Sequence, residues 1–126
     1  IPLIVRQPGQ IPAARRSDHT VNEFDLLPTI LDYVGLGDRR IADTPGRSHA
    51  VLLRGGPAGE EQPVFFEYIK TRVIQTRDWK YTQRFLDAPD ELYDLAKDPG
   101  ETRNLADDPA HAAVIGSLGA QLTAFF

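Results

Sequence analysis

Residues 91–109 read ELYDLAKDPGETRNLADDP, and this stretch raises a choice between a metal site and a structural junction. Its acidic side chains do not follow the D-x-D-x-D-G spacing of a calcium loop. Leu92 and its neighbours suit a short strand, and Asp98-Pro99-Gly100-Glu101 is typical of a turn. Asp108-Pro109 resembles an N-cap followed by proline at the first helical position. We therefore predict a strand, a turn and a helix start here, and no metal ligand.

The segment before this junction changes to a hydrophobic period of two, which predicts strands. Trp79, Tyr81 and Phe85 fall on one face, and the residues between them are mostly polar. We predict four strands, near 64–69, 72–77, 79–85 and 91–95. Strands this close together in sequence form an antiparallel meander.

The segment after the junction predicts a C-terminal helix that packs on this meander. Five apolar residues share one helical face: Val114, Ile115, Leu118, Leu122 and Phe125. Residues 109–126 contain no Asp, Glu, Lys or Arg, whereas a solvated helix normally carries charges on its outer face. We expect burial of this helix on more than one side, partly against something outside the 126 residues.

The amino-terminal part of the chain predicts a strand without a neighbouring strand, followed by a helix. Residues 1–5 form a near-continuous apolar run, which suits a strand covered on both faces of a parallel sheet. Apolar residues recur at helical spacing from Val21 to Val34, with Asp25 as the predicted N-cap and glycine from Gly35 onward as the stop. A monomer would expose this strand and the charge-free C-terminal helix, so we expect the isolated chain to self-associate.

The composition and charge exclude several classes of protein. No apolar stretch approaches about 18 residues, so no transmembrane span and no membrane partner is predicted. The basic residues are scattered along the chain rather than aligned, so no nucleic-acid partner is expected. The sequence has no cysteine, which excludes disulfides and a thiolate nucleophile.

Residues that could carry chemistry are few and poorly placed. Ser17 and His19 lack a G-x-S-x-G elbow, and Ser48 and His49 are adjacent, which would point them to opposite faces of a strand. The three histidines, at 19, 49 and 111, have no metal-ligand spacing. The remaining candidate ligands, Asp18, Asp25 and Asp43, each suit a cap or turn. We assign no catalytic residue and no metal ligand.

Five motifs, in order along the chain, resemble those of the type I sulfatases of the alkaline phosphatase superfamily. They are the strand and turn at 1–9 (IPLIVRQPG), the helix at 25–32 (DLLPTILD), the segment at 46–53 (GRSHAVLL), the strand at 79–81 (WKY) and the signature at 91–105 (ELYDLAKDPGETRNL). The resemblance covers essentially the whole chain.

The resemblance implies an α+β fold class in which the strand and helix of the amino-terminal part belong to the edge of a larger α/β sulfatase domain. Residues 1–54 would end that catalytic domain, 55–62 would be a linker, and 63–126 would be a C-terminal subdomain of antiparallel sheet plus helix. The partner of this chain would then be the N-terminal catalytic domain of the same polypeptide.

The resemblance also implies hydrolysis of a sulfate-ester substrate by a formylglycine nucleophile assisted by calcium. Formylglycine is made from Cys or Ser in C/S-x-P-x-R, and Asp43 precedes the only x-P-x-R here, Thr44-Pro45-Gly46-Arg47. Both groups are therefore expected upstream, and we predict that the fragment alone is inactive and binds neither cofactor. Two alternatives stay open: a phosphonate monoester or phosphodiester hydrolase of the same superfamily, and a stand-alone, non-catalytic interaction module.

Substrate selectivity in such an enzyme must come from side chains that contact the part of the substrate beyond the sulfate. We predict Glu67 and Tyr68, which end a strand, and His49, which replaces an apolar residue of the family pattern, as substrate-binding residues. A surface ion pair between Glu67 and Lys70 or Arg72 is the alternative interpretation.

Overall fold

The computed structural model describes residues 2–39, 42–86 and 88–126. The chain divides into two compact units, Ile1–Glu61 and Gln62–Phe126. The first unit contains two α-helices, α1 (Leu26–Tyr33) and α2 (Ala50–Leu53), and two short 3-10 turns, Glu23–Asp25 and Gly37–Arg39. The second contains four strands, a 3-10 turn at Pro109–His111 and the helix α3 (Ala112–Phe125).

The 3-10 turn Glu23–Asp25 leads directly into α1, and the side-chain cap belongs to this turn. Asn22 is the N-cap: its side chain accepts a hydrogen bond from Phe24 N, and the Asp25 carboxylate accepts from Asn22 N at 2.8 Å. Asp25 occupies the position before α1 as predicted, but its side chain does not cap that helix. The predicted capping bond is wrong, because the Asp25 carboxylate is the third residue of a capping box that begins at Asn22. Pro28 lies in the first turn of the α-helix, where its missing N–H costs no hydrogen bond.

The predicted strand at 1–5 is not formed in the part of that range that the structure describes. Residues 2–5 have no regular secondary structure and are exposed, with Ile4 at 87%. The physical reason is the absence of a neighbour: a strand persists only where another strand completes its backbone hydrogen bonds. In the described residues the sheet belongs to the second unit and is wholly antiparallel.

The predicted meander is confirmed. The strands β1 (Val64–Tyr68), β2 (Thr71–Gln75), β3 (Trp79–Arg84) and β4 (Glu91–Asp94) pair antiparallel in sequence order. One cross-strand row consists of Phe65, Ile74, Tyr81 and Leu92, so these four side chains share a face.

Helix α3 covers that row and completes the core of the second unit. The predicted cap is present at the 3-10 turn that leads into α3: the Asp108 carboxylate accepts from Ala110 N at 3.0 Å, and proline follows at the next position. Leu118 and Leu122 are buried against Ile74, Tyr81 and Leu92. The helix therefore shields one face of the sheet from water.

Tyr81 ties the sheet core to the loop before β4. Its hydroxyl donates a hydrogen bond to Asp90 Oδ2 at 2.5 Å, and a second oxygen of Asp90 accepts from Arg84 N at 2.9 Å. Burial, reinforced by the Asp90 carboxylate, raises the pKa of Tyr81 well above its ordinary value. The phenol therefore stays neutral and acts as a hydrogen-bond donor.

The outer edge of β4 is closed by the loop that follows it. Leu92 N donates to Asn104 Oδ1 at 2.9 Å, Asn104 Nδ2 donates to Asp90 O at 3.0 Å, and Leu105 N donates to Leu92 O at 2.8 Å. A side-chain amide and one backbone N–H thus replace a fifth strand.

Both units expose apolar or uncharged helical surface. On α1, Leu26, Leu27 and Ile30 are 40%, 45% and 57% exposed. On α3, the face away from the sheet carries only small or uncharged residues, and most of them are exposed. No helix in the described part of the chain has the length and hydrophobicity needed to cross a membrane.

Candidate functional site

The Asp25 carboxylate organises the loop that carries His49. Its Oδ1 accepts from Arg47 N at 2.7 Å, and its Oδ2 lies 3.1 Å from His49 Nε2 in addition to its contact with Asn22 N. The side chains of His49 and Asp25 are only 15% and 12% exposed. A nearly buried carboxylate needs such partners, and here they come from the helix start and from the loop.

His49 is fixed on two further sides. Its backbone N–H donates to Thr29 Oγ1 at 2.9 Å, and its ring meets the His19 ring edge-on, with centroids 5.1 Å apart. Because Nε2 faces Asp25, Nδ1 is the ring nitrogen that remains for a ligand. The structure thus gives His49 a packing role that the sequence pattern did not reveal.

Neither serine of the two Ser–His pairs bonds to a histidine ring in the described residues. Ser17 Oγ accepts from His19 N at 3.2 Å, and Ser48 Oγ accepts from Ala50 N at 3.3 Å. These are local turn and cap contacts in which the hydroxyl supports the backbone. A nucleophile needs a base within hydrogen-bond reach of its oxygen, and this geometry does not provide one.

The acidic stretch after β4 is held by local contacts. Asp98 accepts from Thr102 N at 2.8 Å and from Arg103 N at 2.9 Å, and the hydrogen bond from Arg103 is the main reason that the pKa of Asp98 is lowered. Lys97 Nζ lies 2.7 Å from Asp94 Oδ2, and its hydrogen bond lowers the pKa of Asp94. The structural interpretation of residues 91–109 is consistent with these partners.

The described residues contain no group of three or more His, Asp or Glu side chains that could hold a metal ion. Asp18 contacts Arg16 at the surface, at 3.3 Å. The Asp25 carboxylate accepts hydrogen bonds from Asn22 N and Arg47 N and contacts His49. Two of the three candidate aspartates, Asp18 and Asp25, thus have an ion pair or backbone hydrogen bonds instead of a metal.

Glu67 and Tyr68 end β1 but point to opposite faces of the sheet, because successive side chains alternate. Glu67 lies opposite Arg72, with 3.7 Å between Oε1 and Nε, and Tyr68 is 71% exposed. His49 belongs to the other unit. The substrate-binding role of these three residues stays a prediction.

Sequence reasoning missed the surroundings of Arg72. Its Cζ lies 4.7 Å from the Phe126 ring centroid and 5.3 Å from that of Phe85. The period-two pattern places Arg72 on the same face as Phe85, but nothing in the sequence brings the end of α3 to this position. The sequence pattern therefore indicated the contact of Arg72 with Phe85 but not its contact with Phe126.

Comparison with known proteins gives a family match over nearly the whole chain. The family model described as N-sulphoglucosamine sulphohydrolase, C-terminal, matches residues 1–125. The Delta 4,5-hexuronate-2-O-sulfatase of Bacteroides thetaiotaomicron is 33% identical, over 97% of this chain and 27% of its own length. The choline-sulfatase of Rhizobium meliloti is 30% identical, over 86% of this chain and 22% of its own length.

Solved structures agree with this match. The phosphonate monoester hydrolase SpPMH from Silicibacter pomeroyi superposes with a TM-score of 0.75 at 26% identity, over 95% of this chain and 27% of that chain. This chain therefore spans about a quarter of the length of the relatives that it matches.

Proposed function

Because this chain belongs to the family of N-sulphoglucosamine sulphohydrolase C-terminal domains, we propose that it is the C-terminal portion of a longer enzyme that hydrolyses sulfate esters. The observation that carries this proposal is the family match over residues 1–125, joined by relatives that are sulfatases. Since the relatives are about four times as long, the reaction centre is assigned to the N-terminal catalytic domain of the same polypeptide.

In the proposed enzyme, formylglycine and calcium lie in that catalytic domain. The described residues do not fit a calcium site, because they contain no group of three candidate ligands. In addition, the carboxylates of Asp25 and of Asp98 each accept backbone hydrogen bonds. Asp43 precedes the x-P-x-R sequence at 44–47, where formylglycine formation needs Cys or Ser. No reaction step is therefore assigned to a residue of this chain.

The contribution of this chain would be structural support and substrate selection. Residues 1–54 would complete the catalytic domain, with the exposed apolar side chains of α1 packing against it, since such surfaces mark interfaces. Residues 55–62 would link this part to the sheet-and-helix subdomain at 63–126.

An alternative reaction is favoured by one observation. The superposition on a phosphonate monoester hydrolase covers 95% of the chain, and the multifunctional alkaline phosphatase superfamily protein PehA of Trinickia caryophylli is 30% identical. A phosphonate monoester or phosphodiester hydrolase is therefore the second candidate.

The deciding experiment compares the full-length polypeptide with the 126-residue chain. Both are assayed with 4-nitrophenyl sulfate, a phosphonate monoester and a phosphodiester, with and without calcium. We expect the full-length protein to prefer the sulfate and the chain alone to be inactive. A preference for either phosphorus ester would replace sulfatase by the second candidate. Turnover by the chain alone, lost on mutating His19 or His49, would refute the assignment of the reaction centre.

Sedimentation of the 126-residue chain separates a fragment from an interaction module. We expect self-association, because α1 and α3 expose surface that a larger protein would cover. A monodisperse monomer would favour the stand-alone module.

The proposed substrate contacts are Glu67, Tyr68 and His49. In the full-length enzyme, Glu67→Gln, Tyr68→Phe and His49→Gln are tested with one small aryl sulfate and one larger sulfate ester. The glutamine at 49 retains an amide that can donate to Asp25. Loss of kcat/KM for the larger ester alone would support contact, because only remote binding energy is removed. Unchanged kinetics with both esters would contradict it.

A further inference from the structure

The Arg72 guanidinium, on β2, carries a buried donor that has no hydrogen-bond partner among the described residues. Its Nε is buried, and in the described part of the chain neither Nε nor the Nη atoms make a hydrogen bond. Guanidinium offers five N–H donors. A buried donor without a partner lowers the free energy of unfolding, and one reason for a protein to retain it is that the group binds a ligand.

The neighbouring carboxylate does not supply that partner. Glu67 Oε1 is 3.7 Å from Arg72 Nε, which is beyond hydrogen-bond distance. Glu67 is itself 45% exposed, so solvent screens the attraction between the two charges. The pair leaves the guanidinium donors available.

Two phenylalanine rings hold the guanidinium in place. Phe85, just after β3, and Phe126, just after α3, both lie within the distance at which a cation is attracted to a ring. Phe125 stacks on Phe65 with centroids 4.1 Å apart, which anchors the end of the helix to β1. Arg72 is thus positioned by packing rather than by hydrogen bonds.

The surroundings of Arg72 suit an anion. Gln83 lies directly across from it on β3, on the same face, and Lys70 follows in the turn before β2. Neither side chain has a hydrogen bond or ion pair to the described residues. The local charge of Lys70, Arg72 and Glu67 is positive, and the Arg72 side chain is 31% exposed, so a ligand can reach it.

We propose that Arg72 is a specificity-determining residue that binds a second oxyanion of the substrate, a carboxylate or a sulfate remote from the ester that is cleaved. This inference rests on the proposed function. The planar guanidinium matches the two oxygens of either group with paired hydrogen bonds. Gln83 would add a neutral donor beside it.

The test uses the full-length polypeptide and three sulfate esters built on one 4-nitrophenyl glycoside scaffold. The first has no other charge, the second is a glucuronide that carries a carboxylate, and the third carries a second sulfate. The variants are Arg72→Gln, Arg72→Lys and the control Arg77→Gln, whose arginine lies exposed in the turn between β2 and β3.

We expect Arg72→Gln to raise KM about 10- to 100-fold for an ester with a second oxyanion, the effect of losing a charged hydrogen bond. The uncharged ester, which also reports folding, should keep its kcat and KM. Arg72→Lys should recover part of the affinity, and Arg77→Gln should change nothing. The ester with the larger loss identifies carboxylate or sulfate as the ligand.

Two results would overturn the inference. Equal losses with all three esters would make Arg72 a structural residue, and unchanged KM throughout would remove it from substrate binding. Should the wild-type protein hydrolyse the uncharged ester, the proposed function stands whichever of these results is found. Should it hydrolyse none of the three, the proposed function and this inference both fail.

Discussion

Replacing Ile69 by glycine should stabilise the second unit. Ile69 is the first residue of the two-residue turn between β1 and β2, and its φ is +53°. This region costs a non-glycine residue about 1–2 kcal/mol, and a β-branched residue is a clear outlier there. The turn is held in this conformation by the flanking strands, whose last pair is Tyr68 and Thr71.

The magnitude follows from two opposing terms. Ile69 is 76% exposed, so its removal sacrifices little burial. Glycine relieves the backbone strain but makes the unfolded chain more flexible, at a cost of about 0.5–1 kcal/mol. The net gain in the free energy of unfolding should be about 0.5–1 kcal/mol. Ile69→Asn should gain a similar amount, because asparagine tolerates this conformation, whereas Ile69→Ala should gain less.

Urea unfolding, followed by the fluorescence of Trp79, measures the effect in the unit that contains the turn, since this is the single tryptophan of the sequence. The matched control is Lys70→Gly, because Lys70 occupies the other turn position without a positive φ. Glycine there should be neutral or destabilising. A gain at Lys70 equal to that at Ile69, or no gain at Ile69, would refute the strain argument.

Three other changes have defined outcomes. Trp79→Ala should lower the free energy of unfolding by about 3 kcal/mol, because Trp79 packs on the core cluster and its ring meets that of His111, and a loss below about 1 kcal/mol would contradict this. Leu122→Ala should cost about 2–5 kcal/mol and Gln121→Ala far less, since Leu122 is fully buried and Gln121 is exposed. Asp98→Asn should lower the free energy of unfolding at neutral pH. Because the pKa of Asp98 is lowered in the folded state, this loss relative to wild type should disappear as pH falls from about 4 through that pKa. A loss that does not change with pH would show that the charge of Asp98 is not involved.

The sheet and the last helix were predictable because their signals are local. Alternation through β3 and the turn residues between the strands define the meander, and Asp108-Pro109 marks the helix start. The prediction of a strand at residues 1–5 was wrong because an apolar run indicates burial but does not show that a neighbouring strand is present. The capping bond predicted for Asp25 is wrong because Asn22 and Asp25 both suit a cap, and the side chain that caps is that of Asn22, at the start of the preceding 3-10 turn.

The candidate site was less predictable than the fold. Adjacent positions at the end of β1 suggested a shared surface, but strand alternation separates Glu67 from Tyr68. The environment of Arg72 depends on where the last residues of α3 meet the sheet, a contact between residues far apart in sequence. Contacts of this kind produce no periodic pattern in the sequence from which they could be predicted.

The closed edge at β4 limits how copies of this sheet can assemble. A fibre that grows by strand addition needs two open edges on every copy, so that each newly added sheet presents a template for the next. Asn104 and Leu105 occupy one of these edges in the folded chain. Two copies joined through β1 would present only closed edges outward, and growth would stop there. Asn104 and Leu105 together therefore oppose strand addition at β4, an effect that is separate from any role in chemistry.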